Sequence, residues 1–381
     1  MIKLPGMAQI WAALPEARLA GGAVRDMLAQ QAVADVDFAV PLPPEVVMAR
    51  AKAAGLEFIP TGLAHGTVTI LAAGRGFEVT SLRRDVETDG RHARVEFTDD
   101  WQADAARRDF TINAMSCDQT GQIFDYFDGR ADLAAGIVRF VGVAGHRLAE
   151  DYLRILRFFR FFARYGRGAP DAEAITAIAN ARDGLSGLSP ERIWQELKKI
   201  MQAPAPLAAI LLMQQTGVLA MILPGSSPDR LAALLARGAP RDPLLRLAAL
   251  TDEDFAARLR LSKAESDCFA QWRMPFDLSP MADDDALRRA LADRPRASLI
   301  GQSWLYGDGD AGWAALRARL ADMASPVFPL QGWDLLAFGI QAGPEMGRIL
   351  ALVRCWWWQG GCQADKEACL RHAACLSTSP L

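Results

Sequence analysis

Apolar and polar positions alternate along the first third of the chain and then switch to helical spacing. Val36, Phe38 and Val40 alternate with Asp35, Asp37 and Ala39, the two-residue period of a half-buried strand over 33–40. Two more strands read from 66–72, rich in β-branched residues, and from 76–82, where Phe77 and Val79 alternate with Glu78 and Thr80. Short strands are expected at 123–127 and 137–141, and helices at 24–29 and 44–54. Past Gly145 the β pattern fades. Leu153, Ile155, Leu156, Phe158, Phe159 and Phe161 give 149–164 a helical spacing, and 172–181 and 190–201 continue as helices. Ser189 followed by Pro190 marks a helix start. Beyond Pro204 helix follows helix, ending in an apolar stretch over 343–358 whose Trp356, Trp357 and Trp358 read as packing residues. The pattern predicts an α+β protein, an α/β head with a mixed sheet of about five strands and then an all-helical remainder.

Composition adds a few exclusions. At 381 residues the chain can hold about two or three domains. No run approaches a membrane span and the N-terminus lacks a long apolar stretch, so a cytosolic protein is expected, with no membrane and no protein partner implied. The net charge of −3 argues against a strongly basic nucleic-acid binder, although a local patch suffices. Arg154, Arg157, Arg160 and Arg164 recur at helical spacing, with Arg147 and Arg167 flanking. They can form a solvated helix face or a surface that tracks phosphates. The six cysteines form no C-x-x-C and their intervals suit helix faces better than zinc pairs, so reduced thiols are expected. The four scattered histidines offer no His/Asp cluster of the kind a phosphohydrolase needs.

The chemistry concentrates in a few blocks. Asp35 and Asp37 follow shortly after Gly21-Gly22-Ala23-Val24-Arg25-Asp26. Two carboxylates on one strand face repel unless a cation lies between them. Mg²⁺ suits such a pair, because it takes few carboxylates and fills its shell with water and phosphate oxygens. The diglycine lets backbone approach a bulky anion. The plain alternative is a strand end and a turn. A second block, Arg107-Arg108-Asp109-Phe110-Thr111-Ile112-Asn113-Ala114-Met115, joins two cations, a carboxylate and an amide. Arginine can clamp phosphate, and Asp or Asn can bond ribose hydroxyls. Asp125-Tyr126-Phe127-Asp128-Gly129 reads as a turn. Glu150-Asp151-Tyr152-Leu153-Arg154 opens the long helix, where Asp151 and Arg154, three apart, share a face with Arg157. That pair can be a salt bridge or can present an acceptor and a donor to a base edge. In Glu191-Arg192-Ile193-Trp194-Gln195-Glu196-Leu197, ion pairing within the helix is the plainer role.

These five blocks, in this order, resemble motifs A to E of the class II tRNA nucleotidyltransferase and bacterial poly(A) polymerase family, most of all its bacterial CCA-adding members. The stretch 83–97 resembles the flexible loop that full CCA addition needs, and Gly343-Pro344-Glu345-Met346-Gly347 resembles a tail motif of the family. The resemblance implies a catalytic head at 1–140, a nucleotide-selecting helical neck at 141–203 and a tRNA-binding body and tail at 204–381. It implies template-independent addition of CCA to tRNA from CTP and ATP, with Mg²⁺ as cofactor. Asp35 and Asp37 would be catalytic and hold the metal, with Glu78 as a third acid. Gly21, Gly22 and Arg25 would face the triphosphate, and Arg108, Asp109 and Asn113 the ribose and phosphates. Asp151 and Arg154, supported by Arg157, would read the base. Asp128 and Gly129 would form a hinge, and Arg160, Arg164, Lys198 and Lys199 would touch RNA. Relatives adding only CC, only A or a poly(A) tail, or a silent tRNA-binding protein, are the alternatives.

Overall fold

The computed structural model describes residues 4–33, 35–88 and 93–378. It divides into two compact units, Met1–Ser226 and Ser227–Leu381. The first unit opens with α1 (Met7–Ala13), β1 (Arg18–Ala20), α2 (Gly22–Leu28), β2 (Asp37–Val40), α3 (Pro44–Ala53), β3 (Glu57–Gly62), β4 (Thr67–Ala72) and β5 (Arg75–Ser81). There follow β6 (Arg83–Thr88), β7 (Ala93–Phe97), α4 (Trp101–Ala106), a 3₁₀ turn at Thr111–Asn113, β8 (Ser116–Cys117) and β9 (Ile123–Phe124). Seven strands form one mixed sheet in the order β3-β4-β5-β2-β1-β8-β9. Its only parallel pair among the described residues is β2 with β5, which sets Asp37 opposite Glu78.

The α+β class and the mixed sheet match the expectation, and the sheet is larger than expected. β1 and β8 are too short to show alternation, and β3 sets Phe58 beside Ile59 and carries Pro60, so it shows none. The strand expected over 33–40 begins only at Asp37. Ala34 lies outside the described residues. The strand expected at 137–141 shrinks to a bridge between Phe110 and Phe140, tied by Thr111 N–H to Arg139 O (3.0 Å) and Val141 N–H to Asp109 O (3.1 Å). The stretch 83–97 pairs β6 with β7 in a separate two-stranded ribbon, with Arg84 bonded to Glu96. Its residues 89–92 lie outside the described ones.

The head's core runs from Trp11 across Phe38 to Phe77, with ring centroids 5.4 and 6.0 Å apart in edge-on geometry. The helical part of the first unit is α5 (Gly129–Ala135), α6 (Ala144–Glu150), α7 (Leu153–Tyr165), α8 (Ala172–Ala181), α9 (Pro190–Gln202), α10 (Pro206–Gln215) and α11 (Val218–Ile222). The long helix expected over 149–164 is therefore two. Asp151 leaves helical geometry (φ −157°, ψ 109°) and its carboxylate accepts from Leu153 N–H at 3.0 Å, so it caps the second helix instead of continuing the first. Ser189 does hold the N-cap position of α9, with Pro190 next, but its hydroxyl makes no capping bond. Phe158 and Phe161 of α7 pack with Phe110, and Phe158 also with Phe140, which clamps the 107–115 segment onto the helix.

The described residues of the second unit are helical, from Pro228–Ala236 to Lys366–Thr378. Leu335, Ile349, Val353, Trp357 and Cys369 share one of its cores. Trp356 and Trp358 lie partly exposed, Trp356 stacked on His372 at 4.3 Å and Trp358 bonded to Asp293 at 2.8 Å. No helix among the described residues is long and apolar enough to cross a membrane. All six cysteines are described, and none forms a disulfide.

Gly129 fixes the start of α5. A Cβ there would come within 2.3 Å of the Thr111 carbonyl oxygen, which is backbone and cannot swing aside. Gly129→Ala is expected to cost about 1–3 kcal/mol by overpacking. Urea unfolding checks this, and an unchanged midpoint would contradict the contact.

Candidate active site

The parallel β2–β5 pair makes an acidic edge. Asp35, Asp37 and Glu78 line a cavity of about 340 Å³ with Leu4, Val36, Arg75, Gly76 and Phe77. Exposed Asp35 and Asp37 alternate with buried Val36 and Phe38, so the two-residue period holds even though Asp35 precedes the strand. Partial desolvation by the surrounding atoms raises the Asp37 pKa above the ordinary carboxylate value, and the charges of Glu78 and Asp35 raise it further, against a smaller opposing pull from Arg108. Among the described residues no three His, Cys, Asp or Glu side chains already form a metal cage. The donors here are all carboxylate oxygens, and Arg108 only partly offsets their repulsion at Asp37, which fits a hard cation that keeps water and phosphate in its shell.

Asp37 and Glu78 also line a second hollow of about 220 Å³, with Gly21, Gly22, Ala39, Ser81, Asp104, Arg107 and Arg108. Gly21 is held at φ 60°, ψ −115°, with its N–H on Met115 O at 3.1 Å. A Cβ there would meet Arg108 Nη1 at 2.6 Å, so glycine serves both the backbone turn and the close approach of the guanidinium. Asp104 anchors this wall, pairing with Arg107 at 2.8 Å and Arg108 at 3.2 Å. Burial alone would raise its pKa, but the two guanidiniums outweigh that and hold it below the usual carboxylate value.

Behind the hollow lies a chain of polar contacts. Arg25 donates to Asn113 Oδ1 at 2.5 Å, and Asn113 donates to Asp109 Oδ1 at 3.1 Å. Asp109 Oδ2 pairs with Arg157 of α7 at 2.5 Å. Arg25 also pairs with Asp26 at 2.9 Å and lies over the rings of Phe161 and Tyr165, 5.0 and 4.7 Å from their centroids. Tyr165 donates its hydroxyl to Asp26. Arg25 is therefore buried and braces Asn113, and it does not line the hollow that Gly21, Gly22 and Arg108 line.

One turn before Arg157 the expected Asp151–Arg154 pair gives way to two separate ones. Arg154 reaches Glu150 and the Arg147 carbonyl (2.7 Å). Asp151 pairs with Arg192 of α9 at 2.8 Å. The reason is the helix break, at which Asp151 leaves helical geometry while Arg154 stays within α7. Arg147 is shared between Glu150 (3.0 Å), Val141 O (3.0 Å) and Ala106 O. Burial alone would raise the Glu150 pKa, but hydrogen bonds from Arg154 and Arg147 hold it below the usual carboxylate value.

The arginine row of α7 is thus a ladder of ion pairs rather than an unbroken solvated face. Arg160 pairs with Glu196 at 2.9 Å, and Lys199 reaches the same carboxylate at 3.4 Å. Arg164 is exposed and bonds Gln31 at 2.9 Å. Lys198 lies 5.8 Å from the centroid of the Trp194 ring. Asp128 adopts φ 60° at the start of α5, where Asp125 accepts from Gly129 and Arg130 N–H at 2.9 and 2.8 Å. Both Asp128 and Gly129 lie inside the first compact unit.

Comparison with known proteins agrees with this layout. A family model described as the poly A polymerase head domain matches residues 17–139, and one described as a probable RNA and SrmB-binding site of polymerase A matches 169–229. The mitochondrial CCA tRNA nucleotidyltransferase 1 of Mus musculus is 38% identical over 377 residues, covering 94% of this chain and 86% of that protein. The chain belongs to the CCA-adding tRNA nucleotidyltransferase family. The CCA-adding enzyme of Lactobacillus johnsonii is 33% identical over 92% of this chain and 91% of its own. The Bacillus stearothermophilus CCA-adding enzyme, solved in complex with CTP, superposes with a TM-score of 0.76 at 26% identity, covering 98% of both chains. Enzymes of this nucleotidyltransferase family are generally metal-dependent.

Asp104 went unassigned in the sequence, and Arg147 and Glu150 were named there without the ion pair that joins them. Asp104 stands three and four residues before Arg107 and Arg108, an ion-pair spacing that could have flagged it. Arg192 has no comparable local signal, because its partner is 41 residues away.

The raised pKa of Asp37 has a consequence for stability. A carboxyl whose folded pKa exceeds its unfolded one binds its proton more tightly when folded. Stability therefore falls as pH rises from the ordinary carboxylate range through the folded value, and the cost is fully present above that value. Asp37→Asn is expected to raise the Tm of the metal-free protein at pH 7.5. That advantage should vanish as pH falls below the ordinary carboxylate range. Calorimetry across pH checks both, and an equal or lower Tm for the variant at pH 7.5 would contradict the net repulsion.

Proposed function

We propose that this chain adds C, C and A to the 3′ end of tRNA, taking nucleotides from CTP and ATP and releasing diphosphate. The carrying observation is the acidic edge of Asp35, Asp37 and Glu78, with Asp37 shared by the hollow that Gly21 and Arg108 line. The likeness to named CCA-adding relatives over nearly the whole chain supports it.

In this reading Asp35 and Asp37 hold Mg²⁺, with Glu78 as a third acid beside them. A Mg²⁺ held by these carboxylates would supply a lowered pKa for the tRNA 3′-hydroxyl and positive charge for the leaving diphosphate. Gly21, Gly22 and Arg108 receive the triphosphate, Arg25 acting from behind through Asn113. Asp109 and Asn113 stand toward the ribose. Asp151 accepts from the exocyclic amino group of C or A, and Arg154 donates to the adjacent ring nitrogen. G and U offer the opposite pattern and would leave buried polar groups without partners, a mismatch worth about 1–3 kcal/mol. The protein, with no nucleic-acid template, then chooses the base.

The head at 1–140 performs transfer, the neck at 141–203 selects the nucleotide, and 204–381 binds tRNA. Asp128 and Gly129 join head to neck. Arg160, Arg164, Lys198 and Lys199 contribute to the RNA surface. The cytosol is the proposed compartment, in keeping with six cysteines that form no disulfide.

Purified protein with Mg²⁺ and tRNA ending at the discriminator base, given CTP, ATP or both, is expected to add CC with CTP alone and one further A with both. Products are read at single-nucleotide resolution, and Asp37→Ala should reduce addition to background. Stopping at CC, a long A tail, or no addition by the wild type would each overturn CCA addition.

A further inference from the structure

The carboxylate of Asp151 is fixed at both oxygens. Oδ1 accepts from Leu153 N–H at 3.0 Å and Oδ2 from Arg192 Nη2 at 2.8 Å. The first bond is local and comes with the helix cap. The second crosses from α9, and both side chains are only partly exposed. Trp194, Leu197, Ile200 and Met201 seat α9 in the core of the first unit, so Arg192 projects from a rigid element. A carboxylate held at one oxygen can still swing about χ2, whereas one held at two has a set plane and set directions for its remaining lone pairs. Arg154 is held independently by Glu150 and the Arg147 carbonyl, so its support does not pass through Arg192.

We infer that Arg192 is a positioning residue for nucleotide choice, orienting Asp151 so that it accepts from an amino group on the base edge and rejects a carbonyl. This rests on the reading that Asp151 meets the base. Arg192 touches neither the acidic edge nor the hollow lined by Gly21 and Arg108. Its loss should therefore weaken selection more than transfer. With the plane released, Asp151 turns away at little cost when a carbonyl arrives, and the penalty against U and G falls.

The test compares wild type, Arg192→Gln, Arg192→Lys and Asp151→Ala. The readout is kcat/KM for a single addition, CTP against UTP on tRNA ending at the discriminator base and ATP against GTP on tRNA ending in CC. For Arg192→Gln the CTP:UTP and ATP:GTP ratios should each fall about tenfold, with the loss for CTP lying mainly in KM. Arg192→Lys keeps the charge without the planar fork and should fall about threefold, a partial rescue. It also serves as the reporting variant if Arg192→Gln proves too unstable by thermal unfolding. Asp151→Ala should abolish discrimination. Unchanged ratios in the folded Arg192 variants, with discrimination lost in Asp151→Ala, would overturn the role of Arg192 and leave that of Asp151 standing. An equal loss of kcat for all four nucleotides would mark Arg192 as merely structural. Intact discrimination in Asp151→Ala would overturn the base-reading role and this inference with it.

Discussion

The contact between Asp109 and Arg157 joins the two halves of the site. Asp109 sits in the head segment that follows the arginine pair, and Arg157 sits on α7, one turn past Arg154. The buried Asp109 carboxylate lies 2.5 Å from the partly exposed Arg157 guanidinium, and separating them would leave a buried charge without its counter-ion. The same carboxylate takes Asn113 through its other oxygen, and Asn113 takes Arg25. Moving α7 relative to the sheet would disturb each of these bonds in turn. The aromatic packing of Phe110 and Phe140 on Phe158 and Phe161 holds the same two pieces together without direction. Packing supplies the adhesion and the polar chain supplies the register.

Charge is organised in opposite senses on the two sides of this joint. Along α7 the cations meet acids, Arg154 with Glu150, Arg157 with Asp109 and Arg160 with Glu196. At the strand edge, Asp35, Asp37 and Glu78 stand together, and at Asp37 the opposing pull of Arg108 is smaller than the repulsion from the other two acids. Repulsion of that kind costs stability and is retained where a cation or a reacting phosphate is to be received. The mildly acidic total charge of the chain conceals this contrast, because most arginines near the site are already engaged.

The strand-to-helix switch, the acidic pair on alternating positions and the glycine turn were legible because each depends on residues close in sequence. Glu78 was placed by the alternation of the 76–82 strand, and its position opposite Asp37 came only with the parallel pairing of β2 and β5, a long-range fact. β1 and β8 carry too few residues for a period, and β3 has adjacent apolar residues and a proline in place of alternation. Asp151 misled because an acid three residues before an arginine is a good helical pair, and helical periodicity is blind to a break that the same acid caps. Arg25 looked like a phosphate ligand beside the glycines, but the rings of Phe161 and Tyr165, over 130 residues away, turn it inward.

Under the proposed function, α7 acts on the acidic strand edge through the Asp109–Arg157 contact. A double-mutant cycle with Asp109→Ala, Arg157→Ala and the double variant, read as kcat/KM for CTP addition, tests this most directly. The predicted result is a coupling of about 1–3 kcal/mol, the double variant being little worse than either single one. Additive losses, with no coupling beyond error, would contradict the account.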